Sequence, residues 1–133
     1  MGYMAISNTA TKAVHERIQS IRHQGKQVVL VDLSNCSAVE VGKIVRVVPE
    51  HVTAQPLGSV LLLVDFSGAS FDQEALRAMK ECAVFDKPYI KKATWVGAGS
   101  LPHGFEKELK AFSRREFPTF KTREEALNWL VGD

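Results

Sequence analysis

The stretch VVLVDLSNCSAVE at residues 28–40 is repeated, in altered form, as LLLVDFSGASFDQ at residues 61–73. Each copy is an apolar run that ends in Val-Asp, followed by two Ser residues three positions apart and then by Glu or Gln. This pattern is typical of a buried strand, a short polar loop and the start of a helix. The two copies therefore predict two successive strand–loop–helix units.

Capping residues are expected to fix the helix starts. Three capping boxes are predicted: Ser37 with Glu40, Ser70 with Gln73, and Thr122 with Glu125. Pro49 lies inside the helical pattern that follows Ser37. Because proline lacks a backbone donor and clashes with the preceding turn, we expect a kink there or a break into two short helices.

The rest of the chain also alternates strand and helix patterns. The expected elements are a hairpin over residues 14–33, strands at 60–64, 90–96 and 117–120, and helices at 72–84, from Leu101 to Phe112 with Pro102 in the first turn, and after Thr122. This order predicts an α/β fold with a mainly parallel sheet of four or five strands, one antiparallel hairpin strand and about four helices. We expect residues 1–13 to form a flexible arm and residues 14–133 to form one domain.

Composition limits the classes of protein to consider. The 133 residues are 45% hydrophobic and 24% charged, which is typical of one globular domain. Seventeen basic and 15 acidic residues leave a charge of only +2, which argues against a dedicated nucleic-acid binder. The longest apolar run, Val60 to Val64, is too short to insert in a membrane, and the N-terminus has no secretory pattern. Cys36 and Cys82 are expected to be reduced thiols, so we expect a cytoplasmic protein.

A family resemblance rests on the element order and on three segments. These are VDFSGASF at residues 64–71, IKKATWVGAGSL at 90–101 and FPTFKTREEALNWLVGD at 117–133. Together they resemble the STAS-like domains, the group of anti-sigma-factor antagonists and the cytoplasmic tails of sulphate transporters. The ending is similar to a bacterial branch of small stand-alone proteins without an assigned activity. The resemblance covers residues 14–133 and implies a βα superhelix that acts as a regulatory or scaffolding module through protein contacts.

One difference from that family concerns its phosphorylation switch. Anti-sigma-factor antagonists carry an Asp-Ser pair at the start of the helix after the central strand, and a kinase phosphorylates that Ser. The corresponding stretch here is Asp72-Gln73-Glu74, which has no hydroxyl group. The usual phospho-acceptor is therefore missing, although Ser67 and Ser70 lie nearby.

The best candidates for a ligand or partner site lie after the two repeated strands: Asp32, Ser34, Asp65, Ser67 and Ser70. The two carboxylates could share a proton or hold a metal ion, or each could accept loop N–H groups and fix its turn. We favour the second interpretation and expect no metal. The Ser residues could form an anion pocket with the helix starts, or simply cap helices.

Other motifs give weaker signals. Gly97-Ala-Gly99 would need Gly at position 102 to match a dinucleotide-binding loop, and that position is Pro102, so we expect a tight turn, with residues 97–104 as an alternative ligand mouth. Cys36 precedes a helix, where a thiolate is stabilised, but we expect a passive thiol because no second Cys is close in sequence. No Gly-x-Ser-x-Gly motif and no metal-ligand spacing of His occurs.

Function is therefore expected to lie in binding rather than catalysis, with no cofactor. The main hypothesis is a non-enzymatic module with a protein partner, and the alternative is a carrier or sensor of a small apolar or lipid-like ligand. A solidly filled core would favour the module, and a sizeable apolar cavity the carrier. We also expect one apolar face of the sheet to be left partly uncovered, and therefore a homodimer; alternatively, the last helix covers that face with Leu127 and Leu130.

Overall fold

A single sheet forms the centre of the computed structural model, which describes residues 14–132. Its five strands are β1 (Ile18–His23), β2 (Lys26–Asp32), β3 (Val60–Asp65), β4 (Ile90–Val96) and β5 (Thr119–Phe120), and they lie in the order of the sequence. β1 is antiparallel to β2, and the other pairs are parallel. The central apolar strand and the mainly parallel α/β sheet are confirmed. The predicted hairpin is also present, but its first strand begins at Ile18 because residues 14–16 are helical.

Four α-helices connect or follow these strands: α1 (Ala38–Val52), α2 (Gln73–Asp86), α3 (Phe105–Ser113) and α4 (Arg123–Val131). Two short 3₁₀ turns, Lys87–Tyr89 and Ala98–Ser100, flank β4. Between residues 14 and 132, no helix is long and apolar enough to span a membrane. The predicted arm, residues 1–13, lies outside the described residues.

Each face of the sheet is covered by helices because the central strands are apolar on both sides. Alternate strand residues such as Val31 and Leu62 pack with residues of α1, α2 and α3 in one core. The intervening residues, such as Leu30 and Leu63, pack with α4 in a second core. Leu130 of α4 is 1% exposed. The last helix therefore covers the second face of the sheet, which is the alternative to an uncovered face that the sequence pattern allows.

Two predicted helix starts agree with the structure. The Ser37 hydroxyl accepts a hydrogen bond from Glu40 N–H, and the Glu40 carboxylate accepts one from Ser37 N–H, which completes the expected box. The Thr122 hydroxyl accepts a hydrogen bond from Glu125 N–H. Here the Glu125 carboxylate bonds the Thr122 hydroxyl rather than a backbone N–H, so this box is only half formed.

The prediction that Ser70 caps α2 is wrong. The cap is Asp72, whose carboxylate accepts a hydrogen bond of 2.8 Å from Ala75 N–H, and Gln73 is the first helical residue. A carboxylate competes well for this position because it also interacts favourably with the helix dipole. Ser70 is exposed, and its N–H bonds the carbonyl of Cys36.

Two further predictions concern proline residues; of the two alternatives at Pro49, only the break into two short helices is wrong, and the kink stays a prediction. α1 runs through Pro49 to Val52 without breaking into two helices, and the buried Val48 and Val52 hold its last turn in the core. Pro102 lies before α3 rather than in its first turn, because the helix starts only at Phe105. Phe112, the last residue of the helix predicted from the sequence, is 56% exposed.

Candidate functional site

The two repeated strands end side by side at one edge of the sheet. Asp32 and Asp65, the last residues of β2 and β3, are direct partners in the parallel register. Arg123, the first residue of α4, joins them: its Nη2 lies 3.0 Å from Asp32 Oδ1 and its Nε lies 2.7 Å from Asp65 Oδ2. The structure therefore builds an Asp32–Arg123–Asp65 cluster at the carboxyl edge of the sheet.

Both carboxylates also hold the loops that follow them. Asp32 Oδ1 accepts hydrogen bonds from Ser34 N–H at 3.0 Å and from the Ser34 hydroxyl at 2.5 Å. Asp65 Oδ1 accepts one from Ser67 N–H at 2.9 Å. These are the contacts of Asx turns, in which an Asp side chain binds the backbone two residues later. They support the interpretation that each Asp fixes its strand-to-loop turn.

Charge in the cluster is balanced by arginine. Burial acts to raise the pKa of Asp32, but hydrogen bonds from Ser34 and the positive charges of Arg123 and Arg17 lower it below the ordinary value. Burial acts to lower the pKa of Arg123, but its bonds to the two carboxylates raise it. The Arg123 guanidinium thus compensates the negative charge of both carboxylates, which is the role that a shared proton or a metal ion would otherwise have. Within residues 14–132, no three His, Cys, Asp or Glu side chains are grouped to hold a metal ion.

The second loop leaves hydroxyl groups at the surface. Ser67 and Ser70 are exposed, while Ala69 between them is buried and anchors the loop. Backbone bonds tie this loop to the first one: Asn35 N–H donates to the Ser67 carbonyl at 2.8 Å, and Ser70 N–H donates to the Cys36 carbonyl at 2.9 Å. The two loops therefore form one surface.

Gly97 brings a third loop against this surface. Its φ is +77°, and a Cβ at this position would lie 2.6 Å from both the N and the Oγ of Ser67, which is too close for any residue but glycine. Ser100 completes the contact, since its Oγ accepts a hydrogen bond of 3.0 Å from Gly68 N–H. The expected tight turn is thus present, and it packs against the loop after β3.

The candidate residues named from the sequence fall into two groups. Asp32, Ser34, Asp65 and Ser67 come together around the cluster, whereas Ser70 lies further along its loop and is joined only through the backbone. Arg123 was missed, because no pattern links it to Asp65, 58 positions earlier in the chain.

A second group of titratable residues lines a cavity of about 60 Å³ on the α1–α3 side of the sheet. The cavity is mostly apolar, but Cys82, Asp86 and Arg115 contribute to its wall. Asp86 is 1% exposed; its Oδ2 accepts a hydrogen bond of 3.0 Å from Cys82 Sγ, and its Oδ1 has no partner within the described part of the chain. Burial raises the pKa of the Asp86 carboxyl.

Both thiols are poor nucleophiles in this setting. Burial raises the pKa of Cys36, which is 1% exposed, despite its place just before α1. Burial also raises the pKa of Cys82, and the negative charge of Asp86 adds to that effect. A raised thiol pKa lowers the fraction of thiolate, so the expectation of a passive thiol at Cys36 agrees with the structure.

Comparison with known proteins places the fold. No protein-family model and no curated protein matches the sequence. Among solved structures, the chain is similar to an uncharacterised protein of the DUF3478 family from Shewanella loihica PV-4, described as having a SpoIIAA-like fold. The TM-score is 0.65 at 16% sequence identity, over 86% of this chain and 92% of that chain. The chain therefore has a SpoIIAA-like (STAS-like) fold, as the sequence resemblance predicted.

Proposed function

We propose that residues 14–133 form a non-enzymatic, cytoplasmic STAS-like module of bacterial type that binds a protein partner through the carboxyl edge of its sheet. The partner surface consists of the loops that carry Ser34, Ser67 and Ser70, above the Asp32–Arg123–Asp65 cluster. In this proposal the module acts without the phospho-acceptor Ser of the anti-sigma-factor antagonists, since Gln73 follows the Asp72 cap.

The observation that carries this proposal is that the Asp32 and Asp65 carboxylates both bind groups within the protein. Both are bound by Arg123 and by turn N–H groups, so neither is free to act as a base for a Ser nucleophile. The loops they hold are fixed to one another and present exposed hydroxyls on a rigid base. A pre-organised surface of this kind binds a partner with little loss of conformational entropy.

Cavity size supports a contact module over a lipid carrier. The cavity of about 60 Å³ is far below the several hundred Å³ that enclose a drug-sized or lipid-like ligand. Native mass spectrometry of the purified protein tests the carrier alternative directly. We expect the mass of the bare chain, and a retained apolar molecule at stoichiometric amount would favour the carrier instead.

Site-specific crosslinking tests the partner surface. A photo-reactive amino acid at the exposed Ser67 should give a discrete protein adduct in cells, and the same group at the exposed Lys107 on α3 serves as the matched control. A second substitution, Ser70→Arg, places a long charged side chain on the same surface. It should block the partner and so remove the adduct. Equal labelling at both positions, or an adduct that survives Ser70→Arg, would refute the proposed surface.

A further inference from the structure

The amino half of β4 has an unpaired edge. β3 pairs with β4 from Ile90 to Val96, with a register irregularity that skips Lys91, but β5 pairs only with Trp95 and Val96. Trp95 N–H points to the β5 side, where it donates to the Pro118 carbonyl at 3.0 Å. Since backbone groups alternate sides along a strand, the N–H and C=O of Ala93 face the same side, beyond the end of β5. Residues 90–93 therefore form a strand edge that no described strand continues.

This edge lies in a cleft of about 410 Å³, formed with residues 114–116 and Trp129. Five cations line the cleft: Lys87, Lys91, Lys92, Arg114 and Arg115. The whole chain has 17 basic and 15 acidic residues, yet here only one carboxylate, Glu116, accompanies five cations. The structure thus brings together two basic pairs, Lys91-Lys92 and Arg114-Arg115, that are far apart in the sequence.

Burial lowers the pKa of Arg115, but the charge of the buried Asp86 acts to raise it and partly compensates this cation, so the other four cations carry most of the free positive charge of the cleft. None of its five cations lies within 4.0 Å of a carboxylate oxygen among residues 14–132. The Glu116 carboxylate instead lies 3.4 Å from the ammonium group of Lys110, a residue that does not line the cleft. Lys92 donates to the Gly132 carbonyl at 2.8 Å and lies 4.8 Å from the centre of the Trp129 ring, so its charge is held in place. Lys91 and Arg114 are exposed.

We propose that this basic cleft binds an extended acidic peptide segment of a partner protein, which adds a strand to the free edge of β4. The outward-facing N–H and C=O of Ala93 supply the hydrogen bonds, and the cations of the cleft select acidic side chains. A nucleic acid would use the cations and Trp129 but would gain nothing from the Ala93 edge. The cleft lies at the amino end of β4 and is separate from the loop surface of Ser67.

Fluorescence polarisation with a labelled eight-residue peptide of alternating Glu and Thr tests the proposal at low and at high salt. The combined variant Lys91→Glu and Arg114→Asn should weaken binding about tenfold, and Asn tolerates the left-handed backbone of Arg114, whose φ is +56°. Lys43→Glu, an exposed cation on α1 outside the cleft, is the matched control and should change the affinity less than about twofold.

Three further measurements distinguish a peptide that pairs with β4 through its backbone from one that binds through its charge alone. The same peptide with N-methylated backbone should lose binding, and a Lys-Thr peptide should not bind. Slower hydrogen exchange at Ala93 N–H in the complex would show the new ladder directly.

Equal binding of the N-methylated peptide, or full affinity in the Lys91→Glu and Arg114→Asn variant, would overturn the proposal. So would tighter binding of an eight-nucleotide oligothymidylate, which would assign the cleft to nucleic acid. None of these results bears on the crosslink at Ser67, so the proposed function and this inference fail separately.

Discussion

At the scale of single residues, Arg123 has the largest role in the carboxyl edge of the sheet. It lies between two carboxylates that are each committed to a turn, and Asp65 is 5% exposed. Removing one partner of a buried ion pair leaves the other charge without compensation, which costs more than the pair itself contributes. The arginine thus stabilises the arrangement of both loops.

Arg123→Ala should therefore lower the free energy of unfolding by about 1–2 kcal/mol, because Asp65 would lose its cation in a buried setting. Arg77→Ala is the matched control: Arg77 pairs with Glu74 at 3.3 Å on the exposed side of α2, and its loss should cost less than about 0.5 kcal/mol. Urea melts of both variants measure the difference. Equal costs would mean that the cluster contributes no more than a surface pair.

Asp86 carries a carboxyl group whose ionisation opposes folding. Burial raises its pKa in the folded protein, so the folded state favours the protonated carboxyl. For a carboxyl with a raised pKa, the stabilising contribution is present below the unfolded pKa of about 4 and is lost as the pH rises through the folded value.

Asp86→Asn should therefore gain stability relative to the parent chain as the pH rises from about 3 to 7. Urea melts across that range measure the difference between the two proteins at each pH. Glu50→Gln, at an exposed carboxylate on α1, is the control and should follow the parent profile. A constant difference between Asp86→Asn and the parent would show that Asp86 does not titrate in this range.

At the scale of the elements, the capping residues decide where helices start. Thr122→Ala and Asp72→Ala should each cost about 1 kcal/mol, because each removes the acceptor for an N–H group of the first turn. Ser70→Ala should cost almost nothing, since Ser70 lies before the cap and exposes its side chain. Denaturant melts compare the three variants. A loss at Ser70 equal to that at Asp72 would mean that α2 starts earlier in solution.

Local patterns predicted most of these elements because their causes are local. The alternating strand–loop–helix units depend on apolar runs and capping residues that are adjacent in sequence, and both repeated units were placed well. The cap of α2 was misassigned because Ser70 and Asp72 both fit the pattern and only the chain path chooses between them. Arg123 and the basic cleft could not be predicted, since each joins residues that are far apart in the sequence and meet only when the sheet forms.

At the scale of the whole molecule, the second face of the sheet is covered by α4, which removes the main reason for expecting a homodimer. The homodimer stays a prediction, and it now rests on exposed apolar side chains of α2: Val84 is 46% exposed and Phe85 is 61% exposed. Phe85 also lines the groove between α1 and α2.

Light scattering over a tenfold dilution should therefore show a mass of twice 14.7 kDa, and Phe85→Ser should shift it towards the monomer. Lys107→Ser, at an exposed polar position on α3, is the control and should not alter the mass. A mass near 14.7 kDa at every concentration of the parent protein would exclude the dimer.

The position of α4 in the chain has a consequence for synthesis on the ribosome. Sheet order follows sequence order, so each strand can join the strand made just before it once any intervening helix has left the exit tunnel. The apolar side chains that α4 covers, such as Leu30 and Leu63, belong to strands made much earlier. The nascent chain therefore carries a nearly complete sheet with one apolar face open to water until α4 emerges. During that interval we expect the open apolar face to favour aggregation and chaperone binding.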